Sequence, residues 1–131
     1  MTNSVSTQVL ADGPVNFILR LNGTLDTANI TNTLLVNPST LGFSPSGVVL
    51  EDVNWTIDPP LTVQLWWDAT TPVLLDSFAA SGRREKTKRY AGIWNNAGAG
   101  KTGNVLYSTE GWTGVVTFDL MLQFRKVGLP Y

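Results

Sequence analysis

The chain has 131 residues, 43% of them hydrophobic, with ten acidic against nine basic side chains and a net charge of -1. That is one domain's length, and no overall field draws nucleic acid or an anionic membrane to it. Cysteine and histidine are both absent, which excludes disulfides, thiolate or histidine-dependent nucleophilic catalysis, and nearly all zinc and copper sites.

Along the chain the dominant pattern is alternation of apolar and polar side chains, the signature of strands with one buried face. The N-terminus has no basic segment followed by an apolar core, so no signal peptide is expected, and no later run is long and apolar enough to span a membrane. A first strand is predicted over residues 5–10, ended by the turn signal Asp12-Gly13-Pro14. Val15, Phe17, Leu19 and Leu21 then share a face opposite Asn16 and Arg20. A short strand over residues 31–36 stops at Asn37-Pro38-Ser39. In the next, Val49, Val53, Trp55 and Ile57 lie opposite Asp52, Asn54 and Thr56, with Glu51 the one charge on the apolar face. Beyond Pro59-Pro60, Leu61, Val63, Leu65 and Trp67 point inward while Thr62, Gln64 and Trp66 point outward.

Residues 72–78 and 103–108 give two further short strands, with Gly111 closing the second. In the last and longest, Val116, Phe118, Leu120, Leu122 and Phe124 alternate with Thr117, Asp119, Met121, Gln123 and Arg125. At about 3.3 Å per residue it spans a whole sandwich. The best helical candidate, residues 74–88, is broken by Ser-Gly and then by a charge run. About eight antiparallel strands predict an all-β, single-domain, two-sheet sandwich: a jelly roll, with an immunoglobulin-like topology as the alternative.

Few segments offer chemistry. Residues 83–89 hold five of the nine basic side chains, Arg83, Arg84, Lys86, Lys88 and Arg89, and read either as a solvated loop or as a docking loop whose arginines pair with a partner's carboxylates. Without interleaved aromatics the run does not point to nucleic acid. Residues 95–102 imitate a phosphate-binding loop, but Asn95 stands where the first glycine belongs and a strand follows Lys101-Thr102 in place of a helix. They are read as a glycine-rich turn, with no nucleotide and no other cofactor.

Of the five tryptophans, Trp55 and Trp67 belong to apolar faces, whereas Trp66 points outward and Trp94 and Trp112 lie beside loops. Exposed tryptophan anchors a protein interface or stacks on a sugar ring. The carboxylates are dispersed, and the adjacent pair Glu51-Asp52 faces opposite sides of a strand, so no catalytic pair or metal set emerges. Asp68 is expected to cap the turn that it opens. The C-terminal residues, ending in Tyr131, are placed to reach a neighbouring subunit or to fold back.

The segment Leu65-Trp66-Trp67-Asp68-Ala69-Thr70-Thr71, the loop from Gly92 through Gly100-Lys101-Thr102-Gly103-Asn104-Val105, and Ser108-Thr109-Glu110-Gly111 together resemble a group of small tailed-bacteriophage virion proteins. Asn16-Phe17-Ile18-Leu19-Arg20-Leu21 and the basic pair Arg125-Lys126 fit the same pattern, whereas Trp66 and the dense basic run depart from it. The resemblance implies a capsid decoration, or cement, protein. Such a protein is assembled in the host cytoplasm, sits on the outer capsid, and has the major capsid protein and further copies of itself (as dimer or trimer) as partners. It supplies no catalytic residue. A carbohydrate- or receptor-binding module of a phage fibre is the alternative.

Overall fold

A computed structural model describes residues 3–42, 45, 47–85, 97–100 and 102–127, with Arg84 and Glu85 described at the backbone alone. In chain order its strands are β1 (Ser4–Asp12), β2 (Asn16–Leu25), β3 (Thr33–Val36), β4 (Gly47–Ile57), β5 (Thr62–Trp67), β6 (Val73–Ala79), β7 (Ser81–Glu85), β8 (Val105–Glu110) and β9 (Val116–Val127). The only helical element among the described residues is a 3-10 turn, Pro38–Thr40, capped by the Asn37 side chain on the Ser39 amide.

All strand pairs are antiparallel, in a five-stranded sheet of order β1-β2-β9-β4-β7 and a four-stranded sheet of order β3-β8-β5-β6. From β2 onward, only β5 and β6 are consecutive neighbours in one sheet; every other connection crosses between the sheets. That is the connectivity of a jelly roll with one extra edge strand, and it excludes the immunoglobulin-like alternative, which keeps more consecutive strands side by side.

The alternation read from the sequence builds the core. Phe17, Leu19, Leu21 and Leu25 of β2 pair with Phe124, Leu122, Leu120 and Val116 of β9, all of them buried. Val63, Leu65 and Trp67 of β5 come from the opposite sheet, and Trp67 is wholly buried. Trp55 packs on Phe78 with ring centroids 5.0 Å apart and donates its indole N–H to the Ala79 carbonyl at 2.8 Å.

Four expectations need correction. The β4 pairing with β9 slips one residue between Leu50 and Asp52, so Glu51 is a bulge residue and the facing pattern inverts across it. Val48 and Leu50 join the main core cluster, while Val49, also fully buried, lies outside that cluster. The Glu51 carboxylate accepts from Arg125 Nη1 at 3.0 Å, beside the outward-facing side of β9. The charge predicted on the apolar face is thus removed from it. Val15, placed with Phe17 by alternation, is 56% exposed in the turn before β2.

The described part of the helical candidate, residues 74–85, lies in β6 and β7, which belong to different sheets, with Ala80 at φ 58° turning the corner between them. The basic segment therefore begins as an edge strand, not a loop. β7 pairs with β4 from Asp52 to Thr56, and its glycine has a packing reason, because a Cβ at Gly82 would stand 2.8 Å from the Trp55 ring.

One end of the sandwich is closed by charge. Lys126, 9% exposed on the last turn of the β9 alternation, bonds the Asp12 carboxylate and the Gly42 carbonyl, and the Gly42 amide returns a bond to Asp12. The Lys126 ammonium and the Gly42 amide hold the Asp12 carboxyl below the usual carboxylate range. At the other end, the Thr117 hydroxyl and amide do the same for Asp58.

Both carboxyls bind protons more weakly folded than unfolded. Their stabilisation is thus complete above the unfolded carboxylate pKa and is lost as pH falls through the lowered folded value. Thermal unfolding followed from pH 7 into the acid range will show a falling Tm, and Asp12→Asn will have a lower Tm at pH 7 and a shallower acid dependence.

Candidate interaction surface

The two outer faces of the sandwich differ in kind. On the four-stranded sheet, Leu34 of β3 pairs with Leu106 of β8, Leu106 with Trp66 of β5, and Trp66 with Leu74 of β6. Directly opposed residues share a face, so four apolar side chains form a row across the entire sheet, about 15 Å at the usual strand spacing. Leu34 is 51% and Leu74 46% exposed, while Leu106 and Trp66 are half-buried.

Two register shifts assemble this row. The slip between Leu65 and Trp66 places Leu74, rather than Leu75, opposite the indole, and the slip between Leu34 and Val36 turns Leu34 outward while Val36 enters the core. The row beneath it is polar. Gln64 pairs with Ser108 on one side and Ser77 on the other. Trp66 Nε1 donates to Ser108 Oγ at 2.8 Å, and Ser108 Oγ donates to Gln64 Oε1 at 3.3 Å. The ring is thereby fixed beside an open groove of about 390 Å³ lined by Asn32, Gln64, Trp66, Ser108 and Glu110, among others.

The outer face of the five-stranded sheet is mostly polar, with Met121 (41% exposed) and the half-buried Ile18 as its apolar members, and its ion pairs are internally satisfied. Arg20 grips Asp119 through Nε at 3.0 Å and Nη2 at 2.7 Å, and Arg83 Nη2 reaches Asp52 at 3.0 Å. An open groove of about 530 Å³ runs over Ser6, Asn22, Thr56, Asp58, Thr117 and Asp119. Its carboxylates do not form an acid–base pair. Asp58 accepts from the Thr117 amide at 3.0 Å and hydroxyl at 2.8 Å, which favour its ionised form, and Asp119 is committed to Arg20. A general acid needs the opposite shift. No group of three or more potential metal ligands occurs among the described residues.

The structure does not bring the other sequence candidates to Trp66. Arg83 lies on β7 in the other sheet, exposed but paired with Asp52, and Arg84 follows it in the same strand. Trp112 is a brace: its indole N–H donates to the Leu25 carbonyl at 3.2 Å, its amide donates to Asn29 Oδ1 at 3.0 Å, and its ring packs against the core. Asn29, which sequence reasoning passed over, also accepts from the Thr109 hydroxyl at 3.4 Å and so ties the β2–β3 connection to β8. Lys86, Lys88, Arg89, Trp94 and Tyr131 lie outside the described residues.

The described residues of the glycine-rich loop, 97–100 and 102, include a turn. Gly100 and Gly103 take φ of 78° and 86°, and the chain then enters β8 rather than a helix. Asp68 does not cap its own turn as expected. Its carboxylate accepts from the Thr102 hydroxyl at 2.8 Å, and backbone bonds from Thr70 to Ala99 and from Thr102 to Asp68 join the two loops. A phosphate-loop threonine would be free to bind a metal ion; this one is occupied.

The neighbouring tryptophans Trp66 and Trp67 should separate cleanly in urea unfolding. Trp67→Ala empties a core site and is expected to lose about 3–5 kcal/mol. Trp66→Ala removes a half-exposed ring and one hydrogen bond, with an expected loss of about 1 kcal/mol.

No helix among the described residues is long and apolar enough to cross a membrane. Neither the protein-family models nor the curated proteins contain a match to this chain.

Proposed function

We propose that this chain is a non-enzymatic virion protein that decorates the outer capsid of a tailed phage, with the outer face of the four-stranded sheet resting on the shell. The observation that carries the reading is the row Leu34-Leu106-Trp66-Leu74, an apolar strip centred on a hydrogen-bonded tryptophan on a sheet face. Such a strip is costly to leave in water, and the tryptophan within it is a residue type enriched in interface hot spots. It is small, which suits a contact repeated over a symmetric shell, where many modest contacts sum to large stabilisation. The sequence resemblance to phage virion proteins and the jelly roll's frequency in capsid domains support the reading by analogy.

A second reading has its own observation. The groove beside Trp66 is lined by amide side chains, hydroxyls and Glu110 together with the indole, the kinds of group that a sugar-stacking site combines. On that reading the chain is a glycan- or receptor-binding module of a phage fibre.

Purified virions of the phage that encodes this sequence, labelled with antibody to the chain, separate the readings. Label over the heads is expected; label on fibres with Trp fluorescence quenched by a glycan supports the second reading; absence from virions contradicts both. Added to decoration-free heads, Trp66→Ala should bind at least about 30-fold more weakly than the wild type, the loss of one interface hot spot of about 2 kcal/mol. Unchanged binding contradicts the assignment of this face.

A further inference from the structure

We infer that β1 is a self-pairing strand through which two copies of this chain join edge to edge about a twofold axis at Thr7, an inference that goes beyond the virion reading and does not depend on it. A sheet edge presents unpaired backbone N–H and C=O groups, and proteins guard such edges with charge, proline, shortness or cover. Three of the four edges here are guarded. β7 carries Arg83, Arg84 and Glu85 among its five residues, β3 has four residues, and β6 holds Asp76 and follows Pro72.

β1 is the exception. It is nine residues long, and from Ser4 to Ala11 it has no charged side chain and no proline. Its one charge, Asp12, is bonded to Lys126 at the end of the sandwich. The five-stranded sheet is one strand wider than its partner, and β1 is the strand left uncovered: of its nine residues only Val5 is half-buried, while Val9 is 56% and Leu10 43% exposed. Among the described residues nothing pairs with its outer edge.

The edge is also held ready. β2 pairs with β1 along almost its whole length, from Ser4 opposite Thr24 to Asp12 opposite Phe17. Before β1, Asn3 Oδ1 accepts the Asp26 and Thr27 amides at 2.8 and 2.9 Å, and Asn3 Nδ2 donates to the Ala28 carbonyl at 3.0 Å. The entropic cost of ordering a strand on binding is therefore already met within the monomer.

What identifies the partner as a second copy is the strand's own symmetry. In an antiparallel pairing centred on Thr7, Val5 meets Val9 of the second copy, Ser6 meets Gln8, and Thr7 meets itself. Over residues 5–9 like then opposes like: the two Val5–Val9 pairs flank the Thr7 pair on one face and the Ser6–Gln8 pairs lie on the other, with no charges in register, while Leu10, which would meet Ser4, is the residue skipped in the β1–β2 register. The register slip between Val9 and Ala11 ends the regular edge at the point where this symmetry ends. The pairing is isologous and closes as a dimer; it makes no trimer.

Sedimentation equilibrium of the full chain over a concentration series tests this, with Thr7→Lys as the variant. Thr7 is exposed, so the substitution leaves the core intact while placing two like charges on the axis. The wild type should move reversibly between 14.2 kDa and twice that mass, and Thr7→Lys should weaken the dimer at least tenfold with an unchanged circular dichroism spectrum. The chain has no cysteine, so Thr7→Cys gives a second readout that does not rely on a charged variant folding. Mild oxidation should cross-link it to a dimer, because directly opposed Cβ atoms lie within about 4.5–5.5 Å, close to disulfide reach. Ser81→Cys on the guarded opposite edge should remain a monomer under the same oxidation. A wild type that stays monomeric at every concentration, or an oligomer indifferent to Thr7→Lys together with no Thr7→Cys cross-link, overturns the inference.

Discussion

The molecule hangs on β9. Its twelve residues lie between β2 and β4 and pair with both along almost their full length, so its register fixes the whole five-stranded sheet. Its inner row, Val116, Phe118, Leu120, Leu122 and Phe124, is buried throughout. A slip of one residue would send all five into water and bring Asp119 and Arg125 inward. Both ends of the strand are fastened: Thr117 is held by Asp58, at the corner where the chain leaves β4, and Lys126 is held by Asp12 and Gly42. The strands that carry exposed features are placed at second hand, β1 through β2 and β7 through β4, while the loop contacts between Asp68 and Thr102 help to align β5 with β8.

Strand identity was legible wherever alternation ran unbroken, as in β2, β5 and β9, because a period of two decides burial directly. It misled where a bulge intervened: the pattern of β4 reads correctly on either side of Glu51 but not across it. β7 was hidden because five residues with three charges look like a loop, and an edge strand needs no apolar face when its neighbour supplies the cover. Trp66 was readable as outward-facing from its parity alone. The row that gives it meaning was not, since Leu34, Leu106 and Leu74 are far apart in sequence and meet only through register shifts in β3 and β6. Trp112 and Asn29 form a brace in which each side chain bonds a backbone group of a segment far away in sequence, which leaves no trace in the period of the side-chain pattern.

The two surfaces bear on each other through symmetry. When β1 pairs with a second β1, the five-stranded sheets become one continuous sheet with the axis perpendicular to it, and both four-stranded sheets fall on the same side. The two Trp66 rows of the proposed dimer then face in one direction. Engagement of one row raises the local concentration of the other, so two weak patches act as a single bivalent contact. The polar face of the five-stranded sheet, with its arginine–carboxylate pairs already satisfied, would turn to solvent. Such a division, one face for the partner and one for water, is what the proposed seat on a shell requires.

Cryo-electron microscopy of the phage heads on which we propose that this chain sits tests that account most directly. It predicts jelly-roll density on the outer shell with the β3-β8-β5-β6 sheet and Trp66 against the capsid and the Arg20–Asp119 face toward solvent. Heads bearing the chain with Trp66 turned outward, or virions without the chain, would contradict it.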